Sequence, residues 1–343
     1  MKDGVKKMKI LVTGGCGFIG GHLCEYLVKL GHKVVAFDDL STGSLENVAA
    51  LMKGRWSEVR GQRPKFGGGK GAFIFVKGNI CDAETVNRLV KDSDVVFHLA
   101  SVVGVKLVCD EPVRTIETMA DGTSIVIRAC RKYMKKVLVA STSEVYGKGI
   151  KVPFSEDDDT VQGATSIRRW AYANCKAMDE FLALAHYHEA KLPVVIVRFF
   201  NTVGPRQTGM YGMVVPRFVK AALNNEPITV YDDGKQSRCF CHVLDVVEAV
   251  EKLMFHCPEA VGQVINVGNP KEVTIGNLAK KIKRQLKSKS EIRNIPFSEA
   301  YPGGGFEDMR RRVPCIKKVR GLIGFKPKRS LTKIISDVAE SMK

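Results

Sequence analysis

A glycine-rich turn near the start of the chain constrains its fold more than any other feature. A short apolar strand pattern, Ile10-Leu11-Val12, leads into Thr-Gly-Gly-Cys-Gly-Phe-Ile-Gly and then into an amphipathic helical pattern. A second apolar strand pattern follows and ends in an acid, Asp38. A strand, glycine turn, helix and strand ending in an acid are typical of a dinucleotide-binding unit. The chain is therefore expected to begin as a parallel sheet covered by helices.

The residues of this unit have separate physical tasks. Gly14, Gly17 and Gly20 form a G-x-x-G-x-x-G turn, in which glycine permits positive φ and close approach to a pyrophosphate. The free amides and the dipole at the helix N-terminus then hold the diphosphate. Asp38 stands where a carboxylate accepts hydrogen bonds from the adenosine ribose and repels a 2′-phosphate, so we predict NAD rather than NADP.

Length and composition are those of an ordinary globular protein. The chain has 343 residues, of which 45% are hydrophobic, and no apolar run approaches the roughly 18 residues of a membrane span. It enters the first strand without a signal-like segment, so we expect a cytoplasmic protein without a membrane partner. The net charge of +18 is spread out, and the densest basic run, 280–289, lies on an amphipathic helix. We therefore expect a solvated face and no nucleic-acid partner.

The ten cysteines are scattered along the chain and none forms a C-x-x-C pair. Cys239 and Cys241 alternate along one predicted strand, with little sign of metal-ligand geometry. We expect buried free thiols and no metal site.

Strand and helix patterns alternate from residue 9 to about residue 200, which predicts a Rossmann-type α/β fold with a doubly wound parallel sheet. We expect a dinucleotide-binding domain over 1–200. Beyond Asn201, shorter elements broken by glycine and proline predict a smaller mixed α/β substrate domain over 201–343, with some exchange of chain between the two. The apolar runs after the first unit lie at 73–76, 94–99, 137–141 and 193–199, and the helical patterns lie near 83–91, 112–132 and 172–190.

Two glycine-rich segments break this periodicity. Residues 53–72 are also basic, and their composition predicts a surface loop. We favour an inert insertion over a flap that folds over the cofactor. Residues 302–308 precede an arginine triplet and predict a loop that closes on a ligand.

Candidate catalytic residues follow the strand that ends at Ala140. Ligands gather at the carboxyl ends of such strands, and here the sequence places the hydroxyl of Thr142 and the carboxylate of Glu144. Tyr172 and Lys176 share one helix face at i and i+4. Because a nearby ammonium stabilises a phenolate, we expect Lys176 to lower the pKa of Tyr172 until the tyrosine works as a base near neutral pH.

With these residues the chain, from about residue 8 to residue 335, resembles the extended short-chain dehydrogenases/reductases of the NAD-dependent nucleotide-sugar epimerase/dehydratase group. The matching motifs are Thr-Gly-Gly-Cys-Gly-Phe-Ile-Gly at 13–20, Asp-Asp-Leu-Ser-Thr-Gly at 38–43, Gly-Asn-Ile-Cys-Asp at 78–82, His-Leu-Ala at 98–100, the Tyr172 and Lys176 pair, and Arg-Phe-Phe-Asn-Thr-Val-Gly-Pro-Arg at 198–206.

The resemblance implies a role for each matching position. Thr142 and Tyr172 contact the sugar C4 hydroxyl, and Lys176 holds the nicotinamide ribose. The implied cofactor-binding positions are Gly14, Gly17, Phe18, Ile19, Gly20, Asp38, Asp39, Leu40, Ser41, Thr42, Gly43, Asn79, Ile80, Leu99 and Ala100. The implied positions for the uridine diphosphate sugar are Asn201, Val215, Tyr231, Arg238 and Arg312. A homodimer is also implied, with the helices at 112–132 and 172–190 forming its interface.

The implied common step is oxidation of the sugar C4 hydroxyl by NAD, and three residues favour the UDP-glucuronate decarboxylases of the group. Glu144 stands where 4-epimerases tend to have a small residue, Arg169 lies three residues before Tyr172, and Arg312 lies in Arg-Val-Pro. A 4-keto glucuronate is a β-keto acid that loses carbon dioxide readily. Glu144 then fits the acid that protonates C5, and one arginine fits the guanidinium beside the carboxylate. Otherwise Arg169 pairs with a local acid such as Glu156, and Arg312 binds the diphosphate.

The sequence departs from the group's patterns at four places, two of which bear on the reaction. Ser143 replaces the aspartate of the 4,6-dehydratases, and Ser101-Val102-Val103 replaces the cysteine of the apiose-forming enzymes, so neither reaction is expected. Asn79 replaces a frequent aspartate near the adenine, and Thr118 replaces a frequent asparagine. A UDP-sugar 4-epimerase, acting on UDP-glucose or UDP-glucuronate, remains the main alternative. A non-catalytic dinucleotide-binding scaffold would not need the tyrosine and lysine.

Overall fold

Seven parallel strands form the central sheet of the computed structural model, which describes residues 7–52, 72–102, 110–149, 151–209, 213–296, 299 and 309–343. These strands are β1 (Lys9–Thr13), β2 (Lys33–Asp38), β3 (Ala72–Lys77), β4 (Val95–His98), β5 (Lys136–Thr142), β6 (Val194–Phe199) and β11 (Gln263–Val267). Their order is β11-β6-β5-β4-β1-β2-β3. The order changes direction between β1 and β4, and in sheets of this kind ligands bind beyond the carboxyl ends of the strands at that point.

Helices cover both faces of this sheet, which explains why its strands are apolar on both sides. On one face lie α1 (Phe18–Lys29), α7 (Val243–Phe255) and α9 (Lys317–Ile323). On the other lie α3 (Ala83–Lys91), α4 (Pro112–Tyr133) and α5 (Trp170–Ala190). Local signals set several helix ends: the Asp82 side chain caps α3, Pro112 opens α4, and Met134 ends α4 in the left-handed region.

A smaller layer with its own apolar cluster stands beyond the carboxyl ends of β5 and β6. Val215, Phe218, Ile228, Leu278 and Ile334 belong to this cluster. Its helices are α6 (Val214–Leu223), α8 (Ile275–Gln285) and α10 (Leu331–Glu340). Three strand pairs accompany them, namely β7 (Thr202–Val203) with β10 (Cys241–His242), β8 (Ile228–Tyr231) with β13 (Ile292–Ile295), and β9 (Ser237–Cys239) with β12 (Glu272–Thr274). In the part of the chain that the structure describes, the other short elements are α2 (Ala49–Met52) and three 3-10 turns at Leu45–Val48, Ser143–Tyr146 and Pro258–Ala260.

The predicted Rossmann-type α/β fold with a doubly wound parallel sheet is confirmed, and each predicted apolar run overlaps a strand of the central sheet. The runs at 94–99 and 193–199 extend beyond β4 and β6 by one residue at one or both ends. After residue 201 the chain leaves this sheet, and it returns to it with α7, β11 and α9. Of the predicted loop at 53–72, residues 53–71 lie outside the described residues and Ala72 begins β3. The predicted loop at 302–308 also lies outside the described residues.

Three further observations concern the described residues only. None of their helices is long and apolar enough to cross a membrane. Their cysteines are free thiols, and most are buried. No three His, Cys, Asp or Glu side chains among them come together as metal ligands.

Candidate active site

A cavity of about 500 Å³ lies between the carboxyl ends of the central strands and the smaller layer. The predicted cofactor positions that line it are Gly14, Gly17, Phe18, Ile19, Gly20, Asp38, Asp39, Ser41, Thr42, Ile80, Leu99 and Ala100. The predicted catalytic and substrate positions that line it are Thr142, Glu144, Arg169, Tyr172, Lys176, Asn201, Val215, Tyr231, Arg238 and Arg312. Residues that are far apart in sequence therefore share one cleft.

The glycine turn between β1 and α1 is shaped by close backbone contacts. Gly14 has a φ of +68°, and a Cβ at this position would lie 2.8 Å from the amide nitrogen of Ala100. A Cβ at Gly20 would lie 2.0 Å from the carbonyl oxygen of Gly14. Within the described residues no side chain caps the first turn of α1. This leaves a glycine cradle and helix amides that fit the diphosphate of a dinucleotide.

Asp38 is fixed at the end of β2 by backbone amides. Its carboxylate accepts hydrogen bonds from the amide of Cys16 over 2.9 Å and from that of Leu40 over 2.8 Å. Burial raises the pKa of Asp38, while these amides act in the opposite direction. A fixed acceptor at this position fits a ribose diol.

Three predicted cofactor positions do not line the cavity and instead support residues that do. The amide of Leu40 holds Asp38, and a Cβ at Gly43 would lie 2.9 Å from the Asp38 carboxylate. The side-chain amide of Asn79 donates to the Asp39 carboxylate over 3.3 Å. Their role in the structure is therefore to shape the acidic end of the cleft.

The Tyr172 phenol lies beside the end of β5. Its side chain hydrogen-bonds with the hydroxyl of Thr142, the last residue of that strand. Lys176 follows one turn later on α5, and its side chain is buried. The i and i+4 spacing thus brings both groups to one face of the helix, as predicted.

The prediction that Lys176 lowers the pKa of Tyr172 is wrong for the protein alone. The Lys176 ammonium donates to the carboxylate of Asp179 over 3.2 Å. Burial of Tyr172 and the negative charge of Glu144 raise the pKa of the phenol well above its usual range. The motif could not indicate this, because the sequence gives no sign that the ammonium already has a buried partner.

Glu144 lies between two buried guanidinium groups. The Arg312 guanidinium is 2.6 Å from one oxygen of its carboxylate, and that of Arg169 is 3.1 Å from the other. Burial alone would raise the pKa of Glu144, but Arg312 and Arg169 outweigh it and lower the pKa to about 2. Glu144 is therefore an anion at neutral pH in the protein without substrate, and its role as the acid at C5 stays a prediction. Arg169 thus pairs with a local acid, as the alternative expected, but this acid is Glu144. The side chain of Glu156 accepts from the amide of Asn266 over 2.8 Å.

Sequence reasoning missed Arg217 as a cavity residue. Its guanidinium lies 4.1 Å from the ring centroid of Tyr231 and donates to the carbonyl of Thr229 over 3.1 Å. Both Arg217 and Tyr231 line the cleft at the smaller layer. The only signal was its position on the first turn of α6, two residues after Val215.

Comparisons with known proteins agree with this geometry. The family model described as the NAD dependent epimerase/dehydratase family matches residues 10–268. A Bacillus cytotoxicus protein named UDP-N-acetyl-alpha-D-glucosaminuronate decarboxylase is 42% identical over 323 residues, or 94% of this chain and 93% of that protein. UDP-glucuronic acid decarboxylase 2 of Arabidopsis thaliana is 33% identical over 95% of this chain. The alignment covers 66% of that plant protein, so the chain spans about two thirds of its length.

A solved structure extends the likeness to the whole fold. The crystal structure of UDP-glucuronic acid 4-epimerase from Bacillus cereus, in complex with UDP-glucuronic acid and NAD, superposes with a TM-score of 0.83 at 25% identity. The match covers 98% of this chain and 99% of that one. The glycine cradle, the Tyr172 and Lys176 pair and the extent of these matches lead to one conclusion: the chain belongs to the NAD dependent epimerase/dehydratase family.

Proposed function

We propose that the protein is an NAD-dependent decarboxylase that converts a UDP-linked hexuronate to a UDP-pentose through a 4-keto intermediate. The observation that carries this proposal is the pair of buried guanidinium groups, Arg169 and Arg312, which converge on one carboxylate inside the cleft. Two guanidinium groups in a site that faces a sugar are suited to a carboxylate. The relatives named decarboxylases support the same reading.

The cofactor part of the proposal assigns NAD to the glycine cradle. Gly14, Gly17 and Gly20 would hold its diphosphate, Asp38 the adenosine ribose, and Lys176 the nicotinamide ribose. When bound, NAD would supply the hydride chemistry, as acceptor of the C4 hydride in the oxidation and as its donor at the end of the cycle.

Tyr172 and Thr142 would act on the C4 hydroxyl. Tyr172, as phenolate, takes the hydroxyl proton while Thr142 orients the oxygen, and C4 becomes a ketone. The carboxyl group is β to this ketone, so its bond to C5 breaks and the electron pair moves into the C4–C5 enolate. Carbon dioxide leaves, and C5 takes a proton from solvent. Tyr172 finally returns its proton to the C4 oxygen.

Before substrate binds, Glu144 would balance the charges of Arg169 and Arg312 and hold both guanidinium groups in the cleft. Arg169 and Arg312 are buried, and without an anion their charges would be strongly unfavourable. A substrate carboxylate carries the same chemistry as the Glu144 carboxylate and would compete for the same donors. Beside an ionised Glu144 its negative charge is disfavoured, and loss of neutral carbon dioxide relieves that repulsion.

The C2 substituent of the substrate separates two members of the proposed class. The relative at 42% identity is named for an N-acetylated uronate, and the plant relative at 33% is named for UDP-glucuronic acid. We therefore propose both UDP-N-acetylglucosaminuronate and UDP-glucuronate as substrates to be compared directly.

Neighbouring arginines provide the test of the carboxylate site. Arg312 is buried in the cleft, whereas Arg311 is exposed and pairs with Glu272 over 2.8 Å. We expect R312Q to lower kcat/KM for carbon dioxide release by about 100-fold, because one buried donor to the carboxylate is lost. R311Q is the matched control and should retain activity. Equal effects of the two variants would refute a carboxylate site at Arg312.

A 4-epimerase remains the second candidate, because the superposed Bacillus cereus structure is named for one that binds a uronate. The two functions need the same tyrosine and lysine and differ in the fate of the carboxyl group. An epimerised uronate with all its carbons would establish this second function.

A homodimer is part of the proposal as well. Helices α4 and α5 pack against each other and still expose large apolar side chains. These exposed residues are Val113, Ile116, Met178 and Phe181. Exposed apolar side chains on neighbouring helices are typical of an interface. The cytoplasmic location and the absence of a nucleic-acid partner stay predictions from composition.

A further inference from the structure

A buried carboxylate contacts the lysine of the tyrosine and lysine pair. Asp179 lies three residues after Lys176 on α5, and its Oδ2 accepts from the lysine Nζ over 3.2 Å. The side chains are 3% and 4% exposed. A buried ion pair adds little net stability, because desolvation of two charges offsets their attraction. Its position directly behind the cleft suggests a role in the chemistry.

A chain of hydrogen bonds fixes Asp179 from the far side. Its carboxylate accepts from the hydroxyl of Thr123 on α4. That hydroxyl hydrogen-bonds with His98 Nε2 over 3.1 Å, and His98 Nδ1 hydrogen-bonds with Thr13 Oγ1 over 2.8 Å. Burial and the charge of Lys176 lower the pKa of His98 to about 3, so the imidazole is neutral. The carboxylate of Asp179 is thus tied to the strand that leads into the glycine turn.

The other acids near Lys176 and Asp179 form ion pairs with arginines. Glu180, also on α5, forms an ion pair of 2.7 Å with Arg198 of β6. Glu144, after β5, is held by its two arginines, described above. The titratable groups that face Tyr172, Lys176 or Asp179 from the elements packed around them are Cys175, Glu180, Glu144, Arg312 and His98. Among these groups, Asp179 is the acid that hydrogen-bonds with Lys176.

We propose that Asp179 is a positioning residue for the oxidation at C4: it fixes the ammonium of Lys176 and sets the pH above which Tyr172 acts as a base. The inference rests on the proposed function, in which both groups serve the C4 step. Asp179 touches neither the sugar nor the cofactor in this scheme and acts only through the lysine.

The sign of the effect follows from the charges. The pair works when Tyr172 is a phenolate and Lys176 is an ammonium. The negative charge of Asp179 disfavours the phenolate, so it raises the pKa of Tyr172. Its removal therefore lets the phenolate form at lower pH. The acid limb of the pH profile moves in the same direction.

The test compares D179N and D179E with the wild type and with D245N. Asp245 is a buried acid on α7 that is paired with Arg329, outside the cleft. The first readout is kcat/KM against pH with a UDP-uronate. The second is titration of the Tyr172 phenolate by near-ultraviolet absorbance, taken as the difference from the same protein carrying Y172F. This second readout needs no turnover.

We expect D179N to move the acid limb of the activity profile, and the phenolate titration, to lower pH by about one unit. D179E keeps the charge and should retain the wild-type acid limb, and D245N should lose stability with its acid limb unmoved. A uniform loss of activity in D179N, with the phenolate titration unchanged, would show a merely structural role and overturn the proposal. If no UDP-uronate is turned over, the proposed function fails, and the phenolate titration still decides the role of Asp179.

Discussion

Glu144 shows how two neighbouring guanidinium groups change the chemistry of a carboxyl group. In solution such a group titrates near pH 4.5, and here Arg312 and Arg169 more than offset its burial and lower its pKa to about 2. A carboxylate held in this way is a fixed negative charge and a poor proton donor at neutral pH. The two arginines are held in turn, so the three residues form one unit that a substrate carboxylate would meet.

The lowered pKa of Glu144 predicts a specific dependence of stability on pH. Because the folded pKa lies below the unfolded value, the ion pairs stabilise the protein above pH 4.5, and this contribution is lost as the pH falls towards about 2. The contribution is about 3 kcal/mol. In denaturant titrations, the difference in free energy of unfolding between the wild type and E144Q should shrink by this amount over that range. A difference that stays constant with pH would contradict the double ion pair.

For single residues, the sequence predicted which side chains lie in the site better than it predicted which groups they contact. The i and i+4 spacing placed Tyr172 and Lys176 on one helix face, and the motif at the end of β5 placed Thr142 beside them. It did not predict that Glu144 is held by Arg169, since 25 residues separate the two and no periodicity links them. The same holds for the pKa of Tyr172, which depends on burial and on charges brought in by the fold.

The turn between β1 and α1 shows how one element sets the shape of the cleft. Its glycines pack backbone against backbone, so the position of α1 depends on the absence of side chains there. Gly321 on α9 provides a contrast, because a Cβ at this exposed helical position would meet nothing within 4 Å.

Alanine substitutions at Gly20 and Gly321 should therefore have opposite effects on stability. G20A places a Cβ 2.0 Å from the Gly14 carbonyl oxygen, so the turn must shift, and we expect about 1–3 kcal/mol of lost stability and about tenfold weaker NAD binding. G321A should raise stability by about 0.5–1 kcal/mol, because glycine is a poor helix former. Calorimetry of unfolding and of NAD binding measures both. Unchanged NAD binding by G20A would refute the assignment of the turn to the cofactor.

Periodicity predicted most elements because each strand and helix of the first 200 residues buries its own apolar pattern. The predicted helix at 83–91 matches α3 at both ends, and the others differ by one or two residues. The place of β11 beside β6 was not predicted, because a five-residue strand does not reveal which sheet edge it joins. Such long-range pairing is decided by the packing of α7 and α9, which cover the same edge.

For the whole molecule, the exposed apolar side chains of α4 and α5 predict association into a dimer. Phe181 is 69% exposed and Met178 is 65% exposed. We expect M178K to shift the protein to a monomer, because a charge would be buried at the interface. M342K introduces the same change at an exposed methionine near the end of the chain and should leave the dimer intact. Light scattering at micromolar concentration measures both, and a wild-type monomer would contradict the interface.

The central claim is that one cleft oxidises a UDP-uronate at C4 and removes its carboxyl group. Proton NMR of UDP-glucuronate and UDP-N-acetylglucosaminuronate, each incubated with the pure protein and NAD, tests it most directly. We predict that the C5 proton signal of at least one uronate is replaced by the two C5 protons of a UDP-pentose, with release of carbon dioxide. An interconverted uronate that keeps all six carbons, or two unchanged substrates, would contradict the proposed decarboxylation.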